Sequence, residues 1–164
     1  MKKIFFTLLA LIAGHIAFAQ NIPPVKGFRL ETPQDYRNAD SAVVQVDKYF
    51  LSIPIDQDSN TRLYAGVFLV RWIEGSPDFY GNLNEHVLRG IKNDVDLLTV
   101  YYCCISSFVI HYPSVQDANT ITLNAAKQLV AYINKPANHV KLTRQLKNLV
   151  DADEKGELKS FLKL

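Results

Sequence analysis

Histidines, cysteines and paired acids are the side chains most able to do chemistry near neutral pH. This chain of 164 residues uses few of them. Beyond the first twenty residues the histidines are His86, His111 and His139, each in a different predicted helix. Glu85-His86 lies near Asp78, Asp94 and Asp96 in sequence, so an acidic metal site between helices can be drawn. Against it, no two of these residues have the H-x-x-x-H or E-x-x-H spacing that sets two ligands on one helical face. Arg89, four residues after Glu85, reads instead as its surface ion-pair partner. Cys104 and His111 face nearly the same way on a helix, but seven residues rise about 10 Å. Zinc holds its ligands at roughly 2.0–2.3 Å, so one ion cannot bridge them. There is no C-x-x-C-H, Met1 is the only methionine, and G-x-S-x-G, H-E-x-x-H, P-loop and G-x-G-x-x-G patterns are missing. No metal, cofactor or catalytic residue is therefore assigned. A catalytic site built from distant side chains stays open, because such sites are defined in space.

Cys103 and Cys104 are neighbours. On a helix they point about 100° apart and could bond to one another only by distorting the backbone. They read as small buried hydrophobes, with a redox switch or an intermolecular bridge as the alternative.

The most individual stretch is Trp72-Ile73-Glu74-Gly75-Ser76-Pro77-Asp78-Phe79-Tyr80-Gly81, which gathers the only tryptophan, two more aromatics, a proline and two glycines at one helix-to-turn junction. Read functionally, Trp72, Phe79 and Tyr80 form an aromatic patch that grips a partner or a ligand ring, with Asp78 and His86 as polar members of the binding set. Read structurally, glycines and proline shape a tight corner and the aromatics seal the end of a bundle. Lys141, Arg144, Lys147, Lys155, Lys159 and Lys163 give the C-terminal region a basic bias, but Asp151, Asp153, Glu154 and Glu157 are interleaved with them. That is a solvated helix face and not a nucleic-acid stripe.

These residues need helices to position them. After an extended lead over 20–31, rich in proline and glycine, Thr32-Pro33-Gln34-Asp35 has the form of a helix start. Tyr36, Ala39, Val43, Val46 and Phe50 then recur on one face, and Pro54 ends the run. Ser59 or Asn60 caps a second helix whose apolar face holds Leu63, Tyr64, Val67, Phe68 and residues 70–73, with Gly75 as its C-terminal cap. Ser76-Pro77-Asp78 reads as a turn or a fresh helix start. A short helix over about Leu83 to Lys92 bears Leu83, Val87 and Ile91 on one side. Asn93 or Asp94 opens the most apolar segment, Val95 to Tyr112, which is apolar nearly all round and so belongs among other helices. Thr99, Cys103, Ser106 and Ser107 make a small-residue stripe along it that lets a neighbour approach closely. Pro113 ends it. A helix from about Asp117 to Asn134 follows, then one capped by Asn138 that carries Val140, Leu142, Leu146, Leu149 and Val150, then a final amphipathic turn. The pattern predicts an all-α fold over 32–164, a single compact bundle of six or seven helices around a central apolar helix at about 94–112.

Residues 1–19 have the three parts of a secretory signal. Lys2 and Lys3 supply the charge, Ile4 to Ile12 the apolar core, and Ala17-Phe18-Ala19 the small-x-small cleavage triplet. Cleavage after Ala19 leaves Gln20 first. The apolar run falls short of the ~20 residues that span a bilayer, so no stable membrane insertion is expected after cleavage. Loss of Lys2 and Lys3 balances the remaining cations and acids, and a neutral surface gives no long-range attraction to nucleic acid.

The Ala17-Phe18-Ala19-Gln20 junction, the Trp72…Gly75-Ser76-Pro77-Asp78-Phe79 corner and the Asp96-Leu97-Leu98…Tyr101 start of the central helix resemble those of small exported uncharacterised helical proteins of Bacteroidota. The resemblance implies export and an all-helical fold, and it implies no activity. The expectation is an exported, periplasmic or extracellular protein. Its bundle is expected to be a non-catalytic module engaging a protein partner or a small ligand in the cell envelope. The alternative is a small periplasmic hydrolase with a site between helices.

Overall fold

The computed structural model describes residues 23–91 and 93–164. The expected signal peptide over 1–19, its cleavage after Ala19, residues 20–22 of the lead and the helix end at Lys92 lie outside the described residues. Regular structure among the described residues is entirely helical, seven α-helices and one short 3-10 turn, as the sequence periodicity predicts.

The first helix, α1 (Pro33–Ser52), begins where the cap chemistry requires. The Thr32 hydroxyl accepts from the Asp35 amide at 3.3 Å, and the Asp35 carboxylate accepts from the Thr32 amide at 2.9 Å. Two orphan donors are thereby satisfied reciprocally. Its inner stripe buries Ala39, Val43, Val46 and Phe50. Helix α2 (Ser59–Gly75) is capped by Asp58, whose carboxylate accepts from the Thr61 amide, and not by Ser59 or Asn60. Asp58 adopts φ 51°, a left-handed conformation that aspartate tolerates because its short polar chain bonds locally.

The buried face of α2 also differs from the expected one. Arg62, Ala65, Phe68, Leu69 and Trp72 point inward, whereas Leu63 (63% exposed), Tyr64 (70%) and Val67 (53%) point out. The helix is apolar on two sides, and the stripe that fits against its neighbours includes an arginine. Gly75 is still helical, and Ser76 is the cap. A glycine is required there for a different reason: a β-carbon would run into the ring and hydroxyl of Tyr36, which crosses the helix end to donate to the Leu30 carbonyl at 3.0 Å. Ser76-Pro77-Asp78 forms a turn.

Helix α3 (Glu85–Ile91) buries Val87 and Ile91; Leu83 lies before it and is partly exposed. Helix α4 (Val95–His111) starts at Asp94, whose carboxylate accepts from the Leu97 amide at 2.8 Å. It is the centre of the bundle and packs against α1, α2, α3 and a fifth helix, α5 (Ala118–Ile133), capped by Asp117. After α5 the chain departs from expectation. Asn138 caps no helix. It ends a 3-10 turn (Pro136–Asn138), and its buried amide donates back to the Tyr132 carbonyl at 2.7 Å, closing the end of α5. Residues 139–143 then run without helix, with Leu142 exposed, and Thr143 caps α6 (Arg144–Glu154). A last turn, α7 (Leu158–Phe161), packs on α6. Among the described residues no helix is long and apolar enough to cross a membrane.

Candidate functional site

A cleft of about 340 Å³ opens where α1, the turn after α2 and the end of α4 meet. Arg37 and Asp40 are three residues apart on α1 and therefore share a face. Trp72 comes from the last turns of α2, and Asp78 and Tyr80 from the turn beyond it. Val109 and Ile110 of α4, with Pro113 and Gln116 of the following loop, form the opposite wall. Its volume is at the small end of the range for ligand pockets, and its lining mixes Trp72, Val109, Ile110 and Pro113 with polar side chains.

The Arg37 guanidinium grips Asp78 with two prongs, Nε to Oδ2 at 2.8 Å and Nη2 to Oδ1 at 3.3 Å. That fork ties the turn after α2 to the flank of α1 and commits both charges to each other. Trp72 is 1% exposed, and its indole N–H is shared between the Tyr36 carbonyl (3.1 Å) and Asp40 Oδ1 (3.2 Å). Partial burial pushes the Asp40 carboxyl above its ordinary range and the negative charge of Asp78 adds to this, while the Trp72 hydrogen bond and Arg37 pull the other way. Asp40 is thus the one acid at the cleft without a cation of its own, held in place by the indole.

Of the residues singled out in the sequence, Trp72, Asp78 and Tyr80 line this cleft. Phe79 is brought next to Trp72, edge to face at 6.2 Å, and turns towards the core beside Ile105. With Trp72 buried, the corner presents no exposed patch of three aromatics; only Tyr80 is open. His86 is elsewhere. It sits on α3 with its ring against Phe161, and Glu85 lies 3.5 Å from its Nε2.

The His86 Nε2 is buried without a hydrogen bond, whereas the acidic candidates and His139 have partners. Asp94 caps α4 and Asp96 pairs with Arg62 at 2.9 Å. Glu85 pairs with Arg89 at 3.1 Å on the surface, and His139 pairs with Asp56 at 3.1 Å. Among the described residues no three His, Cys, Asp or Glu side chains come together as a metal site. Cys103 and Cys104 are both buried and free, and burial holds both thiols well above their ordinary range, where they are poor nucleophiles.

Sequence reading missed two polar side chains set in the core. Asp47 of α1 is buried against α4, where Oδ1 accepts from the Ser106 hydroxyl at 2.8 Å and Oδ2 has no partner. Arg62 lies over the Phe50 ring at 4.6 Å, with Nη1 and Nη2 unpartnered. Both had a signal: Asp47 follows Val43 by four residues and Arg62 precedes Ala65 by three, so each falls on its helix's buried stripe. Arg37 and Asp40 were also passed over, and only the tertiary pairing with the α2 corner distinguishes them. Compared with known proteins, the chain matches no family model, no curated protein and no solved structure.

Proposed function

We propose that this chain is an exported, non-catalytic binding module whose site is the cleft between Arg37, Trp72 and Ile110. The observation that carries the reading is the arrangement of charge. Arg37 and Asp78 cancel each other, while Asp40 is fixed by the Trp72 indole with one oxygen left over, opposite an apolar wall. Such a site suits a small molecule with an apolar body and an amine or other donor head: the head would bond to Asp40, and the body would lie against Val109, Ile110 and Tyr80. A ligand carboxylate would meet an unbalanced acid and an arginine already engaged.

The test exploits the single tryptophan. Phenethylamine and its carboxylate counterpart, hydrocinnamate, are titrated while the Trp72 emission is followed. The amine is expected to quench or shift the emission saturably, with an effect lost in Asp40→Ala. Emission indifferent to both compounds and to a wider set of small amines would end the reading. Export is tested separately by the mass of the protein recovered from the producing bacterium, which is expected to begin at Gln20.

A hydrolase using Asp40 as its acid is the second reading, and the raised Asp40 carboxyl is what favours it. It requires turnover of a substrate that Asp40→Asn abolishes while binding survives.

A further inference from the structure

A concavity larger than the Trp72 cleft lies on the other side of α2. The lead passes over the outer face of this helix and encloses a groove of about 830 Å³. Its walls are Pro24, Val25 and Phe28 on the strap and Tyr64, Val67 and Phe68 on the helix. Phe28 and Phe68 meet at 5.5 Å and form its floor. Thr61, Tyr64, Phe68 and Arg71 succeed one another at steps of three and four, so the groove follows three turns of α2. From Thr61 to Arg71 this is about 15 Å at the helical rise per residue, the length of an extended dodecyl chain.

The strap has a fixed shape. Pro23 and Pro24 restrict its backbone, the Val25 amide donates to the Pro23 carbonyl at 2.8 Å, and Gly27 turns it with φ 89°. Two apolar side chains along the groove, Tyr64 and Val67, stay more than half exposed, while Phe68 is buried beneath Phe28. The charges around the groove are of one sign. Lys26 stands on the strap and Arg71 at the end of the helical wall, no Asp or Glu lines the groove, and among the described residues neither cation takes part in an ion pair.

We infer that this groove binds a monomeric long-chain carboxylate, its alkyl chain lying along Tyr64, Val67 and Phe68 and its carboxylate held between Lys26 and Arg71. A groove lined by two cations and no acid complements one anionic head on a flexible apolar chain, and its volume falls within the range of small-molecule sites. A second copy of the chain fits it less well. A two-fold interface sets the same patch against itself, so Lys26 and Arg71 would be brought against a surface that offers them no acid. A docking helix would need the flank of α2 that the strap already occupies.

The experiment is calorimetric titration of the purified chain with dodecanoate below its micelle-forming concentration, alongside dodecylamine of equal length. Dodecanoate is expected to bind once per chain at micromolar concentration and the amine at least tenfold more weakly. Val67→Asp, at a surface position where circular dichroism can verify the fold, is expected to weaken dodecanoate at least tenfold. Joint Lys26→Glu and Arg71→Glu substitution is expected to reverse the preference in favour of the amine. Several outcomes would overturn the inference. These are absence of dodecanoate binding, equal binding of the amine, or affinity unmoved by Val67→Asp or by the charge reversal. Sedimentation that shows a dimer dissolved by Val67→Asp would assign the groove to a second copy instead. Binding to anionic vesicles without binding of the monomer would assign it to a membrane surface.

Discussion

Asp47 is the residue at which burial and charge conflict most directly. Its carboxyl is enclosed between α1 and α4 beside Cys103, and burial raises its pKa well above the ordinary value of 3.8 in spite of the Ser106 hydrogen bond. Because the folded-state value is the higher one, the folded protein holds this proton more tightly than the unfolded chain. The stability linked to it is therefore complete below about pH 3.8 and is lost as pH rises through the folded value. Asp47→Asn is expected to remove that slope and, at pH 8, to be more stable than the parent by on the order of 1–3 kcal/mol. Denaturant melts of both proteins from pH 4 to 8 check it. Parallel curves would show that the carboxyl costs the fold nothing. Arg62 presents the converse case, a buried cation whose acid, Asp96, is 54% exposed. Removing one partner of a buried pair strands the other, while an apolar replacement of similar volume can be neutral. Asp96→Ala is thus expected to cost about 1–3 kcal/mol, and Arg62→Met less; the order of the two melts decides it.

At the scale of the helices, the close passage of Tyr36 over the end of α2 sets the geometry from which the cleft is built. Alanine at position 75 would improve helix propensity by roughly 0.5–1 kcal/mol, but its β-carbon collides with the Tyr36 ring. Gly75→Ala is expected to destabilise by about 1–3 kcal/mol and to be largely relieved when combined with Tyr36→Ala, a non-additivity that a double-mutant cycle measures. Thr143→Ala is expected to cost about 1 kcal/mol by uncapping α6. The helices themselves were mostly legible in the sequence. Thr32-Pro33-Gln34-Asp35 and Asp94 announce their helix starts because a cap is a local bond between near neighbours. What was hidden depends on distant partners. Asn138 looks like a cap but is drawn back to the Tyr132 carbonyl, so α6 begins only after Thr143. The inward face of α2 could not be chosen from composition, since it has apolar residues on two sides and an arginine on the buried one. For the cleft, the concentration of Trp72, Asp78 and Tyr80 marked a third of the lining residues. Arg37 and Asp40, with no local pattern of their own, completed it from α1, and His86 was carried away on α3.

Across the whole molecule, α4 does the organising and α2 separates two surfaces. The stripe of α2 ending at Trp72 faces the core and the first cleft, while Tyr64 and Val67 face the strap and the second groove. The two concavities have opposite polarity, an unbalanced acid in one and unbalanced cations at the other, so a single ligand type is not expected to fill both. Both thiols are buried, and His139 is paired with Asp56. The most direct measurement is an amide chemical-shift map of the isotopically labelled protein titrated with phenethylamine. Perturbations confined to residues 37–40, 72, 78–80 and 109–116 are the expected result. A map without localised shifts, or one centred away from Asp40 and Trp72, would contradict the assignment of the cleft as the binding site.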